Sequence, residues 1–399
     1  MESRCEAPGR AFVFALGLVA LITPLAVHLF LPVIPAVKVA LALSDATAQL
    51  NFSIALLAMA LATLAYGSLS DRHGRRPMLL SGLLLFLIGS AISFMAQTAT
   101  TLLLGRVVQA VGAACGMTLV RTIARDAYRP EHLVRAIAYL TMFYTLGPMV
   151  SPLLGGVLID TLGWRSVFGF AFFAGCAISA AAYLAIPETR PLASGSSDDS
   201  ILRSYLALLA EPRLVGYVLQ SGLNTASFMT MASAAASLMK ELLQRPSSEF
   251  GLYFLLFPGG FFCGTLISSR VGSRVSNELM VLLGSLLAMA TIMLQGWLFF
   301  WELVTPWTFF LPGFVLTFSQ GIALPYAQVG AMAVIPRLAG TAAGIGVFMQ
   351  NFGGAVFAQL YGLFADGTPL PMVAILLCSG SLCLVAGTLP FVLRRGQRG

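Results

Sequence analysis

The chain has 399 residues, of which 58% are hydrophobic and only 10% charged, with a mean hydropathy of +0.88. A soluble domain carries about 25% charged residues, so this composition excludes a soluble enzyme or binding module and requires lipid. The net charge of +7 is no nucleic-acid signal, because the cations gather beside apolar segments in the pattern of membrane topology rather than in a basic patch.

A span needs about 20 apolar residues. The chain therefore predicts about twelve crossings, at roughly 11–36, 47–69, 77–97, 100–124, 133–159, 164–186, 213–239, 248–269, 277–300, 304–335, 340–364 and 370–393. The first is read as a true span and not a cleaved signal peptide. It is longer than a typical apolar signal region and runs into Pro32-Val33-Ile34-Pro35 with no small-residue cleavage site. Of the 23 Lys and Arg, only Lys38, Arg165, Lys240 and Arg245 fall on the side away from Arg72, and Arg106 lies within a span. The positive-inside rule then predicts that both termini are cytoplasmic.

The expected organisation is a tail at 1–10, a six-helix bundle at 11–186, a cytoplasmic linker at 187–212, a second bundle at 213–393 and a tail at 394–399. The linker holds the polar run Ser194-Gly195-Ser196-Ser197-Asp198-Asp199-Ser200. Arg72-His73-Gly74-Arg75-Arg76 recurs about half a chain later as Arg270-Val271-Gly272-Ser273-Arg274, which points to duplicated halves. Parallel repeats of this kind place a site between the halves. Cys115, Cys176, Cys263, Cys378 and Cys383 fall in apolar spans and Cys5 in the tail. They read as small packing residues, with no disulfide framework and no metal spacing.

The most informative segment is the polar island Gly67-Ser68-Leu69-Ser70-Asp71-Arg72-His73-Gly74-Arg75-Arg76-Pro77. Lying between two apolar runs, it reads as a tight turn at the membrane surface, with four cations (counting a protonated His73) around one carboxylate. It resembles the loop between helices 2 and 3 of major facilitator superfamily transporters, G-x-x-x-D-R-x-G-R-R. The resemblance implies an all-α polytopic membrane protein with twelve transmembrane helices in two pseudo-symmetric six-helix bundles. It also implies that Gly67, Asp71, Arg72, Gly74, Arg75 and Arg76 form a cytoplasmic gate. There Asp71 faces the N-terminus of helix 11, near Gly340-Thr341, where a helix favours negative charge.

Other elements carry the same resemblance. Arg106-Val107-Val108-Gln109-Ala110-Val111-Gly112-Ala113-Ala114 is similar to the helix-4 element R-x-x-Q-G-x-G-A-A, with Ala110 in place of a glycine. An arginine within a span is a functional candidate by default; the alternative is snorkelling to the outer surface. Gly147, Ser151, Pro152, Gly155 and Gly156 resemble the antiporter motif of drug-exporting branches, with Ser151 in place of a glycine. Small residues there permit close packing, and Pro152 bends the helix. Arg125-Asp126, Gly163-Trp164-Arg165 and Pro187-Glu188-Thr189 also fit the family. Together these elements resemble the twelve-helix drug:proton antiporters of the bicyclomycin/chloramphenicol-resistance type.

That branch usually carries an acid in helix 1, four positions before the proline. Here His28 stands in that place, and none of the 16 acids must lie at mid-membrane. His28 and Arg106 are then the proton-coupling candidates, since an unperturbed imidazole titrates near pH ~6.5; a merely hydrogen-bonded His28 is the alternative. A cavity with cations and no carboxylate disfavours cationic solutes. Family positions imply Tyr144, Asn224, Phe228, Tyr326, Met349, Gln350 and Asn351 as substrate-binding candidates, with helix packing the alternative for each.

No G-x-x-x-x-G-K-[ST], H-E-x-x-H or G-x-S-x-G element is present, so no ATP-driven pump, enzyme, cofactor or metal is expected. The expected function is export of small neutral or anionic amphipathic compounds such as antibiotics by proton antiport, from a monomer in a bacterial inner membrane. The expected partners are the small-molecule substrate, protons and membrane lipid, with no nucleic acid. The alternatives are a metabolite exporter or passive facilitator on the same fold, and a non-transporting sensor.

Overall fold

The computed structural model describes residues 9–189, 208, 210–335 and 338–396. The tail before Gly9, residues 190–207 of the expected linker and the last three residues lie outside the described residues. Among those described there are fifteen α-helices: α1 Arg10–Ala20, α2 Ile22–His28, α3 Val33–Ala40, α4 Asp45–His73, α5 Arg75–Phe94, α6 Ala99–Ala127, α7 Pro130–Leu162, α8 Arg165–Ala185, α9 Pro212–Glu241, α10 Ser247–Phe254, α11 Leu256–Val271, α12 Asn277–Phe300, α13 Pro306–Val334, α14 Ala339–Phe364 and α15 Leu370–Gly396. Taking α1–α3 and α10–α11 as one crossing each gives the twelve expected.

Two crossings are broken, and proline explains each break. Proline lacks the N–H that would reach the carbonyl four residues back. Pro24, Pro32 and Pro258 lie four residues after Ala20, His28 and Phe254, the last residues of α1, α2 and α10. Pro148 and Pro152, by contrast, remain inside a continuous α7.

Among the described residues ten helical segments are long and apolar enough to cross a membrane. The other two crossings, α9 and α14, run 30 and 26 residues. Helix α9 is rich in small polar residues and buries Gln220, Asn224, Thr225 and Thr230. Protein contacts replace lipid for these groups, as an intramembrane polar side chain requires. Large apolar side chains such as Phe173, Leu184 and Phe300 are exposed instead, the arrangement of a lipid-facing surface.

In the first bundle α6 packs against α4 and α5, and α5 against α8. In the second, α13 packs against α9, α11 and α12, and α9 against α14 and α15. The halves repeat each other in detail. Thr98 and Thr305 each open a helix with a capping box to the threonine three residues on. Gly74 and Gly272 both hold positive φ, +97° and +54°, where they end α4 and α11.

The island Gly67–Pro77 departs from the expected turn. Helix α4 runs on to His73 and α5 begins at Arg75, so Gly74 alone breaks the helix. A left-handed φ at one glycine reverses the chain without a loop.

Candidate functional site: an inter-bundle cleft

The two bundles meet along α4 against α14, α7 against α10 and α3 against α9. These contacts are fastened at the membrane face that carries Lys38. The Lys38 ammonium lies 2.6 Å from Asp45 in its own bundle and 2.8 Å from Glu241 at the end of α9. Burial alone would lower the lysine's pKa, but its hydrogen bonds to Asp45 and Glu241 outweigh that and raise it. Asp160, near the end of α7, accepts the backbone N–H groups of Ser247 and Ser248 at 3.2 and 2.8 Å. It thereby caps α10 across the bundle boundary, where a carboxylate suits the positive end of the helix. Ser53 donates to Gln359 of α14 at 2.6 Å, and Gln359 donates back to the Ala46 carbonyl at 3.2 Å.

The antiporter-like segment belongs to this seal. A Cβ on Gly156 would stand 2.2 Å from the Ser247 carbonyl oxygen, and one on Gly251 would stand 2.5 Å from the Leu153 Cα. Gly147 and Gly155 meet Pro24, Pro32 and the Leu29 carbonyl of the first crossing instead. Small residues thus let α7 touch the other bundle and the broken first crossing at once. Ser151 is buried.

Toward the face that carries Arg72 the bundles part. A cavity of about 300 Å³ lies between α4 and α6 on one wall and α14 on the other, lined by Thr63, Thr118, Arg121, Thr122, Arg125, Gly340, Ala343, Gly344 and Val347. Its lining holds two arginines and no carboxylate. On the α4 side, Asp71 pairs with Arg75 at 2.6 Å and is 62% exposed. Among the described residues no hydrogen bond or ion pair joins Asp71 to Gly340 or Thr341. The family-implied contact with the start of α14 is therefore unmade in this conformation, because the cleft separates its partners.

The remaining island residues brace the first bundle. Arg75 is buried; it meets Asp126 at 3.0 Å and donates to Ser70 at 2.7 Å. Glu188 accepts the N–H groups of Arg75 and Arg76 at 2.9 and 3.1 Å, capping α5. Arg76 donates to the Tyr183 carbonyl and lies over the Tyr183 ring. Arg72 is exposed, and Gly67 has open space where a Cβ would stand.

Arg106 neither snorkels outward nor lines the cavity; it is 1% exposed inside the first bundle. It donates to the carbonyls of Asn51 and Ala26 at 3.2 and 3.0 Å and to Gln109 at 2.6 Å, with its guanidinium 4.1 Å from the Phe30 ring centroid. Gln109 continues to Ser90 at 2.9 Å. The arginine thus ties α6 to α4 and to the first crossing where α2 breaks. Short of any carboxylate in reach, carbonyls, Gln109 and an aromatic face serve its Nε, its Nη1 and its charge, while its Nη2 is buried without a hydrogen-bond partner among the described residues.

His28 sits at the bundle boundary. It is buried, with its ring centroid 6.3 Å from Phe228 of α9 and 6.1 Å from Phe254 of α10, and its Nδ1 finds no hydrogen-bond partner among the described residues. Asn224 lies one turn from Phe228 on α9, and both its polar side-chain atoms are buried without a partner; the same holds for Gln350 Nε2 on α14. A buried polar group left unmatched costs about 1–3 kcal/mol, a cost that His28, Asn224 and Gln350 each carry here.

The other candidates separate. Tyr144 lines a small cavity of about 30 Å³ with Ala20, Arg121 and Leu140. Met349 presses its backbone on Gly222. Asn351 donates to the Val347 carbonyl at 3.0 Å. Tyr326 departs from a cavity position: its hydroxyl donates to the Ser268 and Gly272 carbonyls at 3.2 and 2.8 Å, clamping the end of α11 inside the second bundle. Tyr326 aligns with cavity positions only by analogy, and its hydroxyl takes the nearest free helix-end carbonyls.

Sequence reasoning missed Arg121, Arg125, Lys38, Asp160 and Glu241 as functional groups. The arginines were discoverable, since Thr118, Arg121, Thr122 and Arg125 repeat at helical spacing and share one face of α6. The Lys38–Glu241 pair spans 203 residues and carries no local pattern.

Twelve crossings around a cleft, sealed at one membrane face and open at the other, define a polytopic membrane carrier. A family model described as Major Facilitator Superfamily matches residues 16–358, and the chain belongs to that superfamily. It is 28% identical over 388 residues, 96% of both chains, to multidrug resistance protein D of Escherichia coli (strain K12). It is 23% identical over 378 residues, 91% of each, to the bicyclomycin resistance protein homolog of Haemophilus influenzae. A solved D-xylose-proton symporter shares the fold with a TM-score of 0.75 at 15% identity, covering 95% of this chain and 97% of the other. The protein is a multi-pass membrane transporter.

Proposed function

We propose that this transporter exports small amphipathic compounds, neutral or anionic, from the cytoplasm across a bacterial inner membrane by alternating access. The Arg72 face is cytoplasmic on this reading, by its cation excess, and the monomer stands in its inward-open state. The observation that carries the reading is the asymmetry of the bundle boundary. Lys38–Glu241 and Asp160 fasten one face while a 300 Å³ cleft opens at the other. Rocking one bundle against the other would exchange the two, bringing Asp71 to the start of α14. The resistance-protein names of the relatives support drug-like cargo.

Proton entry drives export on this reading, with His28 the carrier, since it lies where both bundles meet and no carboxylate lines the cleft. The same missing carboxylate favours a second reading, a facilitator without proton coupling. Purified protein in proteoliposomes, loaded with a neutral amphipathic dye, separates them. Flux accelerated by an imposed pH gradient supports antiport, and gradient-independent flux supports the facilitator. No flux above empty liposomes refutes transport of such compounds. In the antiport case His28→Ala loses the acceleration and keeps basal flux; unchanged acceleration would remove His28 from the mechanism.

A further inference from the structure

The cleft's charge is more particular than its sign. Arg121 and Arg125 stand one turn apart on α6 and both line the cavity. Arg121 has no hydrogen bond or ion pair among the described residues. Arg125 is 68% exposed and reaches only Asp126, at 3.8 Å, a carboxylate already held by Arg75 at 3.0 Å. The threonine hydroxyls cannot serve as further donors. Thr63, Thr118 and Thr122 each spend their proton on a carbonyl of their own helix, at 2.8, 3.2 and 3.0 Å.

The opposite wall is the first turn of α14. Among the described residues no side chain caps this helix, and its start is the positive end of the helix dipole. Gly340 and Gly344 line the cavity there with nothing within 4 Å of where a Cβ would stand, so a ligand can approach the backbone. Arg121 also borders the small cavity with Ala20, Val120, Ile137, Leu140 and Tyr144. That cavity is mainly apolar and sits beside the guanidinium.

We propose that Arg121 and Arg125, facing the uncapped start of α14, form the headgroup site for an organic monoanion. Its carboxylate or sulfonate lies between the arginines and α14, and its apolar body lies in the 300 Å³ cleft beside Ala343 and Val347. This deepens the export reading by naming the substrate class, and it makes the start of α14 the shared target of the substrate anion and of Asp71. The substrate must leave that site before Asp71 can reach it.

The test is calorimetric titration of full-length protein in phosphatidylcholine nanodiscs at pH 7, with naphthalene-2-sulfonate and its neutral analogue 2-naphthol. Wild-type protein is expected to bind the sulfonate. Arg121→Gln/Arg125→Gln is expected to weaken the sulfonate roughly tenfold or more, the worth of a charge-assisted hydrogen bond, and to leave 2-naphthol unchanged. Arg121→Lys is expected to recover part of the loss. No sulfonate binding by monodisperse wild-type protein, or equal weakening of both ligands, would overturn the proposal. So would a sulfonate affinity that vanishes in phosphatidylglycerol nanodiscs at 0.15 M salt, which would assign the site to lipid. Liposome flux, with the sulfonate as cargo beside the neutral dye, judges export separately: sulfonate binding lost in the variant with no flux of either compound in wild type would leave the site standing and the export reading refuted.

Discussion

Glu241→Gln gives the sharpest test of the seal. Lys38 holds Asp45 in its own bundle and Glu241 in the other, and all three side chains are a quarter to a third exposed. Neutralising Glu241 therefore removes the inter-bundle partner and leaves the Lys38–Asp45 pair in place. A partly exposed ion pair contributes about 1 kcal/mol after hydration and side-chain entropy are counted, which shifts the balance of the two states roughly fivefold toward opening. Adding Asp160→Asn weakens the cap on Ser247 and Ser248. Charge-assisted bonds of that kind are worth about 1.5–3 kcal/mol, so the double variant should open the Lys38 face by a further factor of ten or more. Spin labels at Met95 and Leu303, exposed positions in opposite bundles, report the separation by pulsed electron resonance on a cysteine-free background. The single variant should populate a longer distance and the double variant should make it dominant. Identical distance distributions in all three proteins would refute the assignment of these contacts as the seal.

Gly156→Leu should also hold the Lys38 face open, because even its Cβ would stand 2.2 Å from a backbone oxygen of α10 and neither backbone can yield cheaply. Thiol labelling of a cysteine placed at Ser248 should speed up severalfold; unchanged labelling would contradict the close-packing role. Arg75→Gln leaves Asp126 buried with only the distant Arg125. Breaking a buried pair costs about 3–5 kcal/mol, so thermal stability in detergent should drop, and adding Asp126→Asn should restore part of it. The pH dependence of the Lys38 contact follows from its raised pKa. With both carboxylates ionised, the contact is present below the ordinary lysine value and is lost as pH rises through the raised one. The label distance should therefore change on the alkaline side of the ordinary lysine range and stay constant from pH 7 to 9 if only Lys38 titrates.

Hydropathy alone located the crossings within a few residues, because lipid imposes length and apolarity on each. The duplicated halves were legible in Gly74 and Gly272, where a residue free of Cβ strain was needed at both helix ends. The paired glycines of α7 were legible too, though not which helix they touch. Relations between distant helices were not readable. Arg106 looked like a cavity residue, since an arginine in a span is costly wherever it points; its partners are two carbonyls and a glutamine from three parts of the chain. Tyr326 resembled a lining residue and instead satisfies helix-end carbonyls. The sequence singles out Arg125 only within the Arg125-Asp126 element and Arg121 not at all; the position of α14 makes both walls of a cleft. The breaks after Ala20, His28 and Phe254 follow from proline chemistry, yet Pro148 and Pro152 sit in an unbroken helix, so proline alone does not announce a break.

Alternating access requires the Lys38 face to open during each cycle. A cysteine pair replacing Lys38 and Glu241, bridged in proteoliposomes by a short bis-methanethiosulfonate (each thiolate displaces a methanesulfinate to form a disulfide, and a reductant cleaves the bridge), tests that requirement directly. Flux of the neutral dye should fall to the level of empty liposomes when the bridge forms and return when it is cleaved. Flux that continues unchanged through the bridged protein would contradict the rocking of two bundles about a central cleft.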